Sequence, residues 1–254
     1  MYDITGKTVL VTGASRGIGA ATAKALGEAG ATVIAHYGSY LDGAHDALSA
    51  VPENRKFFIS VDLSIPGSGR ELFTKALECS KRIDVVVNNA AVNLDTPFLG
   101  DDESWDENWL QTMRVNLLEP ASLIREAVQH FLEQGGGTLI ALSSWSGQRG
   151  SAIPQLSAYA ASKAGIKAVT QTVAQNYAKD GILAYVIAPG IVKTRMAEAA
   201  AIARGGEESM KAALNLGELV EPQDIGELIV FLTTGRCRHL TGATIDVNGA
   251  SYVR

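Results

Sequence analysis

The chain has 254 residues, 46% of them hydrophobic and 19% charged, which suits one large α/β domain with a substantial core. Its net charge of −5 and the absence of a basic run argue against a nucleic-acid partner, and no apolar stretch approaches the roughly 18 residues of a membrane span. Cys79 and Cys237 form neither a disulfide framework nor a CxxC pair, and His36, His45, His130 and His239 fall in no metal-ligand spacing, so we expect a reducing, cytoplasmic setting and no metal.

The opening MYDITGKTVLVTG lacks a charged segment followed by a long apolar one, so no secretion signal is expected. KTVLVTG reads as a first strand and IGAATAKALGEAG as a helix closed by glycine. ATVIAHY is a second strand, followed by helical residues near 41–50. KFFISVDL is a third strand, GRELFTKALECS a helix and RIDVVVNNA a fourth strand. Residues 104–133 carry a long helical pattern in which Pro120 marks a kink or break. After the turn at Gly135, Gly136 and Gly137 come TLIALSS as a fifth strand and a helix over 157–179. ILAYVIAPG, IGELIVFLTT and ATIDVNG then read as strand, helix and strand. Strands alternating with helices predict βαβ units: a single-domain, Rossmann-type, doubly wound parallel sheet of about seven strands, spanning 1–254 with helices on both faces. The stretch 195–221, RMAEAAAIARGGEESMKAALNLGELVE, breaks that rhythm and reads as a substrate lid; a plain surface excursion is the bland alternative.

In an open parallel sheet, ligands bind at the carboxyl ends of the strands. Each such end here is polar or small. After the first strand comes TGASRGIG, where Gly13, Gly17 and Gly19 allow a sharp turn and close backbone approach, and the helix that follows points its positive end at the same place. Strand two ends in His36, Tyr37, Gly38 and Ser39, and strand three in Asp62. Strand four ends in Asn88, Asn89, Ala90 and Ala91, strand five in Ser143 to Gly147, and strand six in Pro189 and Gly190 followed by IVKTRM. Together they predict a continuous crevice. The stretch SAYAASKAG places Tyr159 and Lys163 on one helix face, four residues apart, among small neighbours. A free phenol titrates at about 10, and an ammonium beside it favours the phenolate, so this pair is a candidate proton-transfer device.

The order of these motifs, TGASRGIG, VDL at 61–63, NNAA, Asn116 in VNL, SS at 143–144, YAASK, PGIVKT and LTGATIDVNG, resembles the short-chain dehydrogenase/reductase family, in particular its shorter single-domain, 3-oxoacyl-ACP reductase-like members. The likeness runs from about residue 5 to 250; NNAA departs slightly from the family's commoner NNAG. It implies a hydride-transferring oxidoreductase acting on a carbonyl or secondary alcohol, with Tyr159 as general acid/base and Lys163 also binding the nicotinamide ribose. It further implies that Ser144, with Ser143 as competitor, holds the substrate oxygen and that Asn116 helps to hold a water chain. The cofactor-binding set it implies is Gly13, Ser15, Arg16, Gly17, Ile18, Gly19, His36, Tyr37, Ser39, Asp62, Leu63, Asn89, Ala90, Tyr159, Lys163, Pro189, Gly190, Val192 and Thr194. NAD-specific relatives carry an acidic residue at the end of strand two; Tyr37 aligns there and no Asp or Glu occurs from Ala31 to Leu41. With Arg16 ready to meet a 2′-phosphate, and His36 and Ser39 to add hydrogen bonds, NADP(H) is the expected cofactor and NAD(H) the alternative.

A small-molecule substrate is expected against Asn93, Leu94, Trp145, Gln148, Arg149, Gln155 and 195–215, Arg149 being either a reader of an acidic group or merely solvated. The resemblance implies a homotetramer pairing the helices at 104–133 and 157–179, with ATIDVNGASYVR joining another pairing. Two other readings stand beside this one: a non-catalytic nucleotide-binding regulator, against which the Asn–Ser–Tyr–Lys set argues, and a sugar-nucleotide epimerase or dehydratase of the longer subgroup, which tends toward GxxGxxG.

Overall fold

The computed structural model describes residues 2–195, 197 and 206–253. Seven parallel strands form one sheet in the order β3-β2-β1-β4-β5-β6-β7. They are β1 Thr8–Val11, β2 Thr32–Tyr37, β3 Lys56–Ser60, β4 Val85–Asn88, β5 Gly137–Leu142, β6 Ile182–Pro189 and β7 Thr244–Val247. The connecting helices include α1 Gly17–Glu28, α2 Leu41–Ala47, α3 Ser68–Cys79, α4 Asp102–Met113, α5 Glu119–Gln134, the short α6 Ser146–Arg149 and α7 Ser157–Tyr177. Beyond β6 come α8 Glu207–Ala212 and α9 Pro222–Thr233.

The strands are buried on both faces, which is why they read as unbroken apolar runs. Alternate side chains go to opposite faces. Val9, Val11, Val85 and Val87 join a core under α1, α2 and α9, while Leu10 and Val86 join a second core under α3, α5 and α7. Gly226 lets α9 lie close on α1, since a Cβ there would stand 3.1 Å from the Ala21 carbonyl oxygen. The chain runs outward from β1 to β3 and then returns to place β4 on the other side of β1. The carboxyl ends of β1 and β4 therefore flank the point where the strand order reverses, and a crevice opens there.

The long helix expected over 104–133 is two helices joined by a π-helical turn, Arg114–Leu118. The break precedes Pro120, which has no N–H to donate, and Glu119 donates its N–H to the Arg114 carbonyl instead. The third strand stops at Ser60, short of VDL, because Asp62 turns the chain by accepting the Ser64 N–H through Oδ1 at 2.8 Å. Of the expected lid, residues 196 and 198–205 lie outside the described residues. Among the flanking residues, Val192 bridges Val220, and Met210 and Leu219 form a small buried cluster with Ile191 and Leu214 beside it.

Candidate active site

One cleft of about 1400 Å³ runs along the carboxyl ends of the strands, from the glycine turn after β1 to Met210 and Leu214. The turn is fixed from several sides. Gly13 and Gly17 hold φ of +67° and +52°, which side-chain-bearing residues rarely adopt. A Cβ on Gly19 would lie 2.0 Å from the Gly13 carbonyl oxygen. Asn89 donates from Nδ2 to the carbonyls of Thr12 and Gly13 at 2.8 and 3.2 Å, and Thr12 Oγ1 accepts the N–H groups of Asn89 and Ala90, each at 2.9 Å. Thr12, a residue missed in the sequence reading, thus ties the end of β1 to the end of β4. These contacts shape a cradle of backbone groups at the start of α1, which fits a dinucleotide pyrophosphate.

His36 has another task than the one expected of it. Its Nδ1 accepts the Gly13 N–H at 3.1 Å and its Nε2 donates to the Val61 carbonyl at 2.9 Å, so the buried ring is neutral and clamps the turn to the end of β3. With both nitrogens occupied, it has no donor left for a 2′-phosphate. Burial holds its pKa below the ordinary value near 6.5. A proton on Nδ1 removes the acceptor for Gly13. Above that lowered pKa the clamp is intact; as pH falls through it, the clamp opens. Dinucleotide affinity is therefore expected to hold at neutral pH and drop in acid. His36→Ala should weaken it about tenfold or more at neutral pH and remove the acid step, because two backbone groups lose partners. Fluorescence titration with NADPH across pH checks this; an unchanged affinity in the variant would contradict it.

Tyr37 also departs from expectation. Its side chain packs on the core under α1 and is absent from the cleft wall, whereas Tyr40, just before α2, lines the cleft. The Arg16 guanidinium lies 4.2 Å from the Tyr40 ring centroid, stacked on its face and exposed beside Gly38 and Ser39. Ser15, Ile18, Asp62, Leu63, Pro189, Gly190, Val192 and Thr194 also line the cleft. Thr194 donates to the Val192 carbonyl at 3.3 Å, and its methyl group stands where a Cβ on Gly17 would go.

At the middle of the cleft stand Tyr159, Lys163 and Ser144. Lys163 is 4% exposed and donates from Nζ to the Leu142 carbonyl at 2.8 Å, which leaves two N–H donors free. Burial pushes its pKa down to about 8, so it remains mostly protonated at neutral pH. The two candidate serines separate clearly. Ser143 donates to the Lys163 backbone carbonyl at 2.7 Å, while Ser144 accepts the Ser146 N–H at 3.1 Å and its hydroxyl is the one that acts on the Tyr159 phenol, drawing its pKa down. Gly147 permits this approach: a Cβ on it would meet the Lys163 backbone at 2.7 Å. The expectation that the ammonium lowers the phenol is reversed. Burial raises the Tyr159 pKa, and the Ser144 hydrogen bond offsets only part of the rise. Lys163 lies 5.8 Å from the Tyr159 ring centroid and points its ammonium at the Leu142 carbonyl.

Asn116 lies behind the cleft wall. Its side chain accepts the Val92 N–H at 2.8 Å and donates to the Val92 carbonyl at 2.9 Å and to Ser162 Oγ at 3.1 Å. Ser162 in turn donates to the Tyr159 carbonyl at 2.7 Å, so Asn116 braces the first turn of α7, where Tyr159 sits. Of the residues expected around the substrate, Asn93, Trp145 and Arg149 line the cleft together with Gln111, Ile153 and Leu156. Gln148 turns away to donate to Asp246, and the Gln155 carbonyl accepts from Thr96, so neither these two nor Leu94 reaches the wall.

The family model described as enoyl-(acyl carrier protein) reductase matches residues 13–250. The 3beta-hydroxysteroid dehydrogenase 1 of Eggerthella lenta is 32% identical, the alignment covering 98% of this chain and 95% of that protein. The L-rhamnose 1-dehydrogenase (NAD(P)(+)) of Azotobacter vinelandii is 34% identical over 97% of each chain. Among solved structures, a protein assigned as an NAD(P)-dependent gluconate 5-dehydrogenase from Beutenbergia cavernae, with NADP bound at low occupancy, superposes with a TM-score of 0.87 and 26% identity, covering 98% of both chains.

Proposed function

The chain belongs to the short-chain dehydrogenase/reductase family, and from that membership we propose an NADP(H)-preferring oxidoreductase that interconverts a carbonyl and a secondary alcohol, with Tyr159 carrying the proton. The observation that carries the reading is one cleft holding both a glycine cradle and, further along, Tyr159 paired with Ser144 beside the buried Lys163. A bound nicotinamide would supply or accept hydride. The chain's own part is to bind, orient and move a proton.

Gly13, Gly17 and Gly19 give the pyrophosphate room, and Asp62 and Leu63 flank the adenine. Arg16 takes the 2′-phosphate, and Lys163 turns its free donors to the nicotinamide ribose. Ser144, held by the Ser146 N–H, would turn its hydroxyl hydrogen from Tyr159 to the substrate oxygen when that oxygen enters between them. In reduction, the Tyr159 hydroxyl gives its proton to that oxygen as negative charge develops there; in oxidation, the phenolate takes it back. The raised phenol pKa favours the first direction at neutral pH.

Reduction should be level near neutral pH and fall above about 8, where Lys163 loses its charge before Tyr159 does. Alcohol oxidation needs the phenolate, so it should climb with pH over the same range. Rates in both directions across pH test this; oxidation fastest in acid would contradict it. We further read the protein as a cytoplasmic homotetramer. Cys79 and Cys237 are both free, and Leu110, Leu118 and Leu132 on α4, the π turn and α5 are 58%, 42% and 43% exposed, which suits subunit pairing. Light scattering at micromolar concentration reads the assembly, and a monomer would contradict it.

A further inference from the structure

We propose that the substrate carries an anionic group, a carboxylate or a phosphate, and that Arg149 receives it; the inference rests on the oxidoreductase reading of the same cleft. The chain is acidic overall, with a net charge of −5, yet the described cleft lining is basic. It carries Arg16, Arg149, Lys163 and Arg195 against one carboxylate, Asp62. Arg16 and Lys163 belong to the nucleotide. Arg149, on α6 just after Ser144 and Trp145, and Arg195, just after Thr194, are outside the expected cofactor-binding set. A local positive field of this kind concentrates anionic ligands even on an acidic protein.

Arg149 is also held in place. Its guanidinium sits 4.6 Å from the Trp145 ring centroid and 5.6 Å from that of Tyr252, near the end of the chain. The two aromatic rings flank this exposed guanidinium without consuming its N–H donors. Among the described residues it forms no salt bridge, whereas Arg82, Arg114 and Arg125 each pair with a carboxylate. A guanidinium flanked by aromatic rings and free of a carboxylate partner matches a carboxylate or phosphate, which it can bind through two parallel N–H groups.

The test uses methyl ketones bearing a terminal carboxylate at increasing distance from the carbonyl, each paired with its methyl ester, and hydroxyacetone phosphate paired with hydroxyacetone. For wild type, Arg149→Met and Arg149→Lys, kcat/KM with NADPH is measured for each pair. Calorimetry on the NADP⁺-saturated protein measures binding of the same compounds. Wild type should prefer the anion at one spacing by about ten- to hundredfold, the range expected for a charge-assisted pair. Arg149→Met should bring that ratio near one, and Arg149→Lys should recover part of it. Whichever arm, carboxylate or phosphate, shows the larger ratio identifies the group. A wild-type ratio near one in every pair, or a preference that survives Arg149→Met, overturns the proposal. If none of these carbonyl compounds supports NADPH consumption, the oxidoreductase reading fails, and the calorimetric ratios still decide the anion site by themselves.

Discussion

Tyr159→Phe is expected to lower carbonyl reduction by about two to four orders of magnitude, the usual worth of a positioned general acid. The change removes one hydroxyl from a ring that α7 otherwise holds unchanged. The brace from Asn116 through Ser162 to the Tyr159 carbonyl is made by backbone and neighbouring side chains, so it survives. So do the glycine cradle and the Lys163 bond to Leu142. NADPH affinity should therefore stay within a few-fold of wild type while kcat collapses. That split separates loss of the proton donor from loss of fold. A variant retaining most of the wild-type rate would show that another group delivers the proton.

The second large effect concerns cofactor choice. Arg16→Ala should reduce kcat/KM with NADPH by about ten- to hundredfold and leave NADH use nearly unchanged. The 2′-phosphate is the feature that distinguishes the two cofactors. Arg16 lies on Tyr40 at 4.2 Å, exposed beside Gly38 and Ser39, at the end of β2 where a carboxylate would repel that phosphate. The wall there is free of Asp and Glu, and Asp62 is further on, engaged with Ser64. Parallel kinetics with both cofactors decide the matter. Equal or better efficiency of wild type with NADH, or an equal loss with both in the variant, would contradict the assignment.

The sheet was legible because its signals are local. Unbroken apolar runs on β1 and β4, a glycine-flanked turn and helices of regular period each read within a few residues. The glycine turn and the Tyr159–Lys163 pair were legible for the same reason. What the sequence concealed depends on contacts between distant segments. The ring of His36 meets Gly13 and Val61 across two strand ends, so its lack of a free donor shows only once β1, β2 and β3 lie side by side. Tyr37 was assigned by position in the line of the chain; its burial and the presence of Tyr40 at the cleft depend on how the chain leaves β2 for α2. The balance of the Tyr159 phenol was misjudged because helix spacing gives proximity to Lys163 but says nothing of burial. Pro120 gave a true sign of the break near Asn116, though not that it would take the form of a π turn. The stack of Trp145, Arg149 and Tyr252 joins the segment after β5 to the chain's last residues, and no local pattern announces it.

In the proposed reaction this cleft transfers reducing equivalents from NADPH to a carbonyl. The most direct measurement is the absorbance of reduced nicotinamide on mixing wild-type protein with NADPH and a panel of ketones, aldehydes and their acidic derivatives at neutral pH. The expected result is carbonyl-dependent loss of NADPH, with one alcohol formed for each NADPH consumed. NADPH that binds tightly and is never consumed across the panel would contradict it and favour a nucleotide-binding regulator built on the same fold.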